Sequence, residues 1–293
     1  MAQAVSKNGF DLNGALVPIK EILAGGPPRD GIPAINRPHF IKADGGHALH
    51  RNDRVLGLSY QGINKAYPIA ILNWHEIVND RFDGKAVVIS FCPLCGTGMA
   101  FAAKLEGQSH RFGVSGLLYN SDVLFYDRET NSLWSQLLAQ AVTGPLQGTR
   151  LQQLPLAHTT WQNWQKHHPD SLVLSRDTGY RRDYNRDPYA GYTNSQGVFF
   201  PVRYKDPRFH PKERVLGITI DGHHKAYPFS ELARSSGVVE DHLGIKKIRI
   251  LYDERAQSAN AQDANGRQLV STTGFWFAWY AFHRDTLVYR YRP

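Results

Sequence analysis

The stretch Asp53-Arg-Val-Leu-Gly-Leu-Ser-Tyr-Gln-Gly-Ile-Asn-Lys-Ala-Tyr-Pro-Ile-Ala-Ile-Leu72 returns 160 residues later as Glu213-Arg-Val-Leu-Gly-Ile-Thr-Ile-Asp-Gly-His-His-Lys-Ala-Tyr-Pro-Phe-Ser-Glu-Leu232, with ten of twenty positions identical. The likeness continues more faintly, with Val78-Asn-Asp80 matching Val239-Glu-Asp241 and Val87-Val-Ile-Ser-Phe91 matching Ile248-Arg-Ile-Leu-Tyr252. Each copy spells a strand over 54–60, a turn at Gly62, a second strand, a helix of about three turns opened by Pro68, and a β-rich strand over 85–91. One supersecondary unit is therefore duplicated once, which is not the long array of a solenoid. The expected fold is α+β, predominantly β, with the two halves packed face to face around a shared core.

Working outward, residues 1–44, with Gly-Gly-Pro-Pro at 25–28, form an N-terminal arm laid over the body. Residues 45–137 hold the first repeat, 138–204 a connecting segment, and 205–293 the second repeat, all in one compact domain. The connecting segment carries a helix over Thr160–His167, with Thr159 or Thr160 as cap, and a Tyr-rich loop from Thr178 to Tyr192. With 42% hydrophobic and 20% charged residues among 293, the chain is a folded globular one. Its 26 Gly, 16 Pro and 12% aromatics suit short strands and tight turns.

The net charge is +8, but Lys and Arg are scattered, and the densest runs, Arg181-Arg182 and Lys246–Arg249, are too short for a nucleic-acid arm. No nucleic-acid partner is expected. No run of about 18 apolar residues exists, so no transmembrane helix is expected in this chain. Met1–Lys7 lacks the apolar region of a leader. The absence of a P-loop, a dinucleotide fingerprint and a Gly-x-Ser-x-Gly elbow argues against a nucleotide cofactor and a serine-hydrolase site.

Two cysteines in the whole chain rule out a disulfide scaffold, and their spacing points to a site. They lie in Val88-Ile-Ser-Phe-Cys92-Pro-Leu-Cys95-Gly-Thr-Gly-Met99. A strand ends at Cys92, Pro93 fixes φ, and Gly96 and Gly98 allow tight backbone, so a knuckle presents both sulfurs on one side. Such a knuckle suits a soft metal or thiol–disulfide exchange. A structural tetrathiolate is excluded, since only two Cys exist. A metal would need His, Met or carboxylate as well, and Met99 beside two thiolates favours copper over zinc. For exchange chemistry, Cys-x-x-Cys is the right spacing, with Cys92 the more exposed nucleophile. However, Gly-Thr-Gly after Cys95 does not start the helix that usually lowers the thiol pKa. A plain local disulfide is the bland alternative.

The second repeat acts as an internal control. It has Asp253 at the Cys92 position and no Cys after it, and where the first copy has His75 it has Ser235 or Ser236. By helical spacing His75 shares a face with Ile71, Val78 and Phe82 and points inward. It is therefore a candidate ligand, or a base that holds a thiolate. Asn120-Ser121-Asp122, set between Leu-Leu-Tyr and Val-Leu-Phe, reads as a turn or bulge, or as the polar lining of a ligand cleft. Asp127-Arg128-Glu-Thr-Asn is a hairpin turn leading to Trp134-Ser-Gln136.

The strings Phe91-Cys-Pro-Leu-Cys-Gly-Thr-Gly-Met-Ala-Phe101, Phe112-Gly-Val-Ser-Gly-Leu-Leu-Tyr-Asn-Ser-Asp-Val-Leu124 and Leu133-Trp-Ser-Gln136 resemble the bacterial and archaeal family called domain of unknown function 3179. The resemblance runs from about Gly9 to about residue 230 and includes His75-Glu-Ile-Val-Asn-Asp80 and Thr178-Gly-Tyr-Arg-Arg-Asp-Tyr184. It implies a protein exported to the periplasm or cell exterior, or anchored to a membrane, and this chain would be a mature portion without its leader. It carries over no activity.

The leading expectation is a site at Cys92 and Cys95, with His75 or Met99 as further ligands, binding copper before zinc for metal handling or metal-assisted redox chemistry, possible oxidoreductase activity included. The partner would be a small molecule or a protein that donates or accepts metal. The rivals are a metal-free thiol–disulfide oxidoreductase and a non-enzymatic binding module braced by a Cys92–Cys95 disulfide.

Overall fold

The computed structural model describes residues 5–43 and 49–292, so the ends of the arm (1–4 and 44), the first residues of the first repeat (45–48) and residue 293 lie outside the described residues. Strands take 42% and helices 11% of the chain, and the larger sheets form a five-bladed, propeller-like arrangement. The first blade is the hairpin Arg54–Tyr60 and Ile63–Pro68, widened by Ala157–Thr160, Leu172–Leu174 and Phe40–Lys42. The second is Ile77–Phe82, Lys85–Cys92 and Thr97–Ala102, edged by Gln153–Leu154. The third is Phe112–Tyr119, Asp122–Asp127, Leu133–Ser135 and Gln140–Thr143, with Ile22–Ala24 from the arm on its far edge. The fourth holds Arg214–Ile220, His223–Pro228, Thr272–Phe275 and Leu287–Val288, and the fifth Val238–Leu243, Lys246–Asp253 and Ser258–Asp263. No helix is long and apolar enough to cross a membrane among the described residues.

The repeat is visible as paired registers. Leu56 faces Tyr67 in the first blade as Leu216 faces Tyr227 in the fourth, and Cys92 faces Thr97 in the second as Asp253 faces Ser258 in the fifth. The likeness reaches further than the sequence comparison did. Helix α2 (Trp161–His167) caps the first blade as the C-terminal helix Trp276–Phe282 caps the fourth. Trp164 Nε1 donates to Ser171 Oγ at 2.8 Å, and Trp279 Nε1 donates to Thr286 Oγ1 at 2.9 Å. Each indole presses on a glycine of its blade, so that a Cβ at Gly57 or Gly217 would lie 2.2 Å from the ring. The third blade is inserted in the first copy only, between Thr97–Ala102 and Ala157–Thr160.

The first helix differs from expectation. Helix α1 covers Ile69–His75, two turns instead of three, and stops at Glu76, whose φ of 56° and ψ of −30° are left-handed. Residues Ile77–Phe82 are a strand, with Val78 opposite Ile89. The β-branched Ile77 and Val78 pack better on the pleated neighbour Val87-Val-Ile89 than they would on a helix.

The second blade separates two cores. Val87, Ile89, Phe91 and Ala100 face Leu56, Tyr67 and Ile71 of the first blade and α1. On the other face, Val88, Cys92, Met99 and Phe101 pack with Val123, Phe125 and Trp134 of the third blade and with Phe275 of the second copy. The cysteines thus lie in the seam between the second and third blades.

Candidate metal centre

Strand Lys85–Cys92 delivers Cys92 to the seam, and a tight turn returns the chain, with the Cys95 amide donating to the Cys92 carbonyl at 3.2 Å. Gly96 follows at φ 61°, where a Cβ would strike the Phe275 ring at 2.9 Å. The next strand begins at Thr97, so no helix opens at the knuckle, in keeping with the Gly-Thr-Gly string. The second copy clamps the turn from outside, the Phe275 amide donating to the Cys95 carbonyl at 2.8 Å. Both cysteines are buried, with sulfurs 3.5 Å apart and no disulfide between them.

The third blade brings the remaining groups. Tyr119 pairs with Asp122 across a two-residue turn in which Asn120 (φ 51°) and Ser121 (φ 65°) are both left-handed. This is the type I′ geometry that matches strand twist. It lays the Ser121 carbonyl 3.3 Å from Cys95 Sγ and 3.9 Å from Cys92 Sγ. It also places Asp122 so that donor atoms of Cys92, Cys95 and Asp122 all lie within 4.8 Å of one another. These three residues form a group that can hold a metal ion.

The Asp122 carboxylate is held by backbone amides. Its Oδ2 accepts the Leu137 amide at 3.0 Å, while Oδ1 is buried without a hydrogen-bond partner. The Ser121 hydroxyl is buried and unpartnered too. Burial pushes the Asp122 carboxyl up to about 7, against the pull of the Leu137 and Val123 amides and the neighbouring thiols. Burial and the adjacent Cys92 push the Cys95 thiol well above its ordinary value. Burial, and then the Asp122 charge, carry Glu76 up to about 8. The pocket therefore holds several protons that a cation would displace.

Gln136 locks the sulfur-bearing strands to the third blade, accepting from Thr97 Oγ1 at 2.6 Å and donating to Ser90 Oγ at 2.9 Å. Its neighbour Trp134 donates to Asp127 at 2.9 Å. The second acidic and imidazole group, His110, Asp127 and Glu129, differs in character. Asp127 already takes the Thr130 amide and hydroxyl and the Trp134 indole, so both its oxygens are used within a turn.

The sequence candidates are sorted by this geometry. Cys92, Cys95, Ser121 and Asp122 meet in the seam. Met99 lies on the same buried face, paired with Ser90 along the ladder. Asn120 turns away, its Oδ1 accepting the Arg203 amide at 2.8 Å. His75 is outside the group. Its Nδ1 lies 2.7 Å from the Pro33 carbonyl, to which it must donate, and its Nε2 lies 2.7 Å from the Tyr184 hydroxyl, which it accepts. Tyr184 is in turn 2.5 Å from Thr178 Oγ1. Burial lowers the His75 pKa, and with its lone pair engaged the ring acts as a tie between the arm and the Tyr-rich loop. Sequence reasoning gave no role to Gln136, Glu76 or Tyr192, although Leu-Trp-Ser-Gln and His-Glu-Ile-Val were conspicuous strings.

No curated protein and no solved structure matches this chain. A family model described as "Protein of unknown function (DUF3179)" matches residues 29–286, most of the chain and both repeats, and the protein belongs to that family.

Proposed function

We propose that the protein is a metalloprotein that holds a borderline divalent ion, of the zinc class, between Cys92, Cys95 and Asp122. The observation that carries this reading is a fully buried carboxylate, Asp122, set against two buried thiols, with donor atoms of all three within 4.8 Å of one another. A group buried in this state costs free energy unless something binds it. The carboxylate also changes the preferred ion. Two thiolates and a carboxylate carry three negative charges into a buried site. A divalent cation leaves one of them uncompensated and a monovalent copper ion leaves two. Copper(I) favours thiolate and thioether donors, whereas zinc accepts Cys and Asp alike. Zinc therefore takes precedence here over the copper expected from Met99.

Three protein donors are the number that catalytic zinc sites use, with a fourth position kept for water or substrate. Metal-assisted chemistry on a small molecule is the activity this arrangement serves. The deep burial of both sulfurs counts against exchange with a protein disulfide, which needs an accessible thiolate.

The test is elemental analysis of protein purified without a metal-affinity tag, followed by reduction, chelation and titration with Zn(II). About one ion per chain is expected in the wild type, with at least tenfold weaker binding in Cys92→Ser, Cys95→Ser and Asp122→Asn. A reduced wild type that takes up no zinc, or an Asp122→Asn variant that binds it equally well, would overturn the assignment.

A further inference from the structure

Next to the cysteine seam lies a cavity of about 370 Å³, within the size range of small-molecule sites. Leu94 of the knuckle, Val123 of the third blade and the rings of Tyr189, Phe199 and Phe200 line it. Among the described residues, Glu76 is the one ionisable acid in this wall, and no Lys, Arg or His lines the cavity. Glu76 is 7% exposed, and among the described residues its carboxyl makes no hydrogen bond or ion pair. Its backbone is left-handed, at the end of α1, where Gly or Asn is the unstrained choice. The fold thus sets an unpartnered acid on an apolar wall, in a chain that carries eight more positive than negative charges and places none of the positive ones here.

We infer that this cavity binds a small organic ammonium ion, its positive head at Glu76 among the aromatic rings and its apolar body against Leu94 and Val123. Aromatic rings and a carboxylate are the partners that recognise such a head when water is excluded, the rings through their negative faces and the acid by direct pairing. The remaining apolar wall gains from covering a hydrocarbon body. A neutral ligand of the same shape would leave Glu76 unpaired, and an anionic one would be repelled. None of the three proposed metal donors lines this cavity, so its wall stands without an ion at the cysteines.

The experiment is isothermal titration of the wild type, at pH 9, where Glu76 is ionised and the ligand still carries its charge, with 2-phenylethylammonium and with its neutral isostere 2-phenylethanol. The same titrations are made on Glu76→Gln and on the double variant Cys92→Ser/Cys95→Ser. The ammonium should bind the wild type at least tenfold more tightly than the alcohol. In Glu76→Gln that preference should vanish while alcohol binding persists, which also shows that the cavity is intact. The double serine variant should keep the preference, so failure of the metal reading leaves this one standing. An alcohol that binds the wild type as well as the ammonium does would overturn the inference. So would a preference that survives Glu76→Gln or is lost with the sulfurs, or binding of neither ligand.

Discussion

Replacing Asp122 by Asn should stabilise the metal-free protein at alkaline pH while removing its ability to hold an ion. Burial moves the Asp122 carboxyl from its ordinary 3.8 to about 7. Between those values the folded protein keeps a proton that the unfolded chain has released. The stabilisation it brings is complete below the lower value and is lost as pH rises through the upper one. From pH 5 to about 7 this spans two pH units at about 1.4 kcal/mol each, so the wild type should lose about 3 kcal/mol by pH 8 that the variant does not. Asn keeps an acceptor for the Leu137 amide and has nothing to titrate. Glu76, pushed up to about 8 chiefly by burial, titrates in both proteins, and only the smaller part of its shift, owed to the Asp122 charge, is lost in the variant. Urea unfolding followed by tryptophan fluorescence, with chelator and reductant present, measures the difference at pH 5 and pH 8. Saturating zinc should then reverse the order at pH 8, since only the wild type gains binding free energy. Parallel pH dependence of the two metal-free proteins would refute the reasoning, because it would mean that the carboxylate is already ionised in the fold.

Three further outcomes follow from the packing. Gly57→Ala and Gly217→Ala should each lower stability by about 1–3 kcal/mol and by similar amounts, because the new methyl meets Trp164 or Trp279 at the same 2.2 Å; paired thermal melts check this. His75→Phe should destabilise by about 1–3 kcal/mol, through the stranded Pro33 carbonyl and Tyr184 hydroxyl, yet leave zinc stoichiometry unchanged in elemental analysis. Gln136→Leu should weaken zinc binding by about tenfold or more while leaving one site per chain, since it releases Thr97 and Ser90 without removing a donor; competition with a chromogenic chelator reads this.

The duplication and the cysteine knuckle were legible because both are local patterns, one a string repeated at fixed spacing and the other two sulfurs on a constrained turn. The Asn120-Ser121 turn was legible as a turn for the same reason. Asp122 was marked as lining a ligand cleft but not as a metal donor, since its place beside the sulfurs depends on how the third blade folds against the second. His75 is buried as its helical spacing indicated, but its link to the sulfurs rested on their joint absence from the second copy, and the ring goes instead to Pro33 and Tyr184. The β-branched pair Ile77-Val78 signalled the strand that replaces the expected third turn of the helix. The tryptophan helices escaped comparison because they recur at an offset of 115 (276 against 161) where the hairpins recur at 160 (213 against 53). The third blade, inserted in the first copy, makes that difference. Glu76 gave no signal, as a glutamate acquires its character from burial, which the sequence does not display.

The clamp of Phe275 on the knuckle has a consequence for any attempt to cut the chain in two. The copy with the sulfurs does not own a complete wall, since one backbone bond to Cys95 and the ring over Gly96 come from the other copy. The reverse debt exists as well, because Arg54 of the first copy donates to the Ala256 carbonyl, at the position equivalent to Cys95. The two copies therefore behave as unlike subunits of a heterodimer joined by a tether. Fragments ending and beginning near residue 204 should be inert alone and regain the centre only when they reassociate.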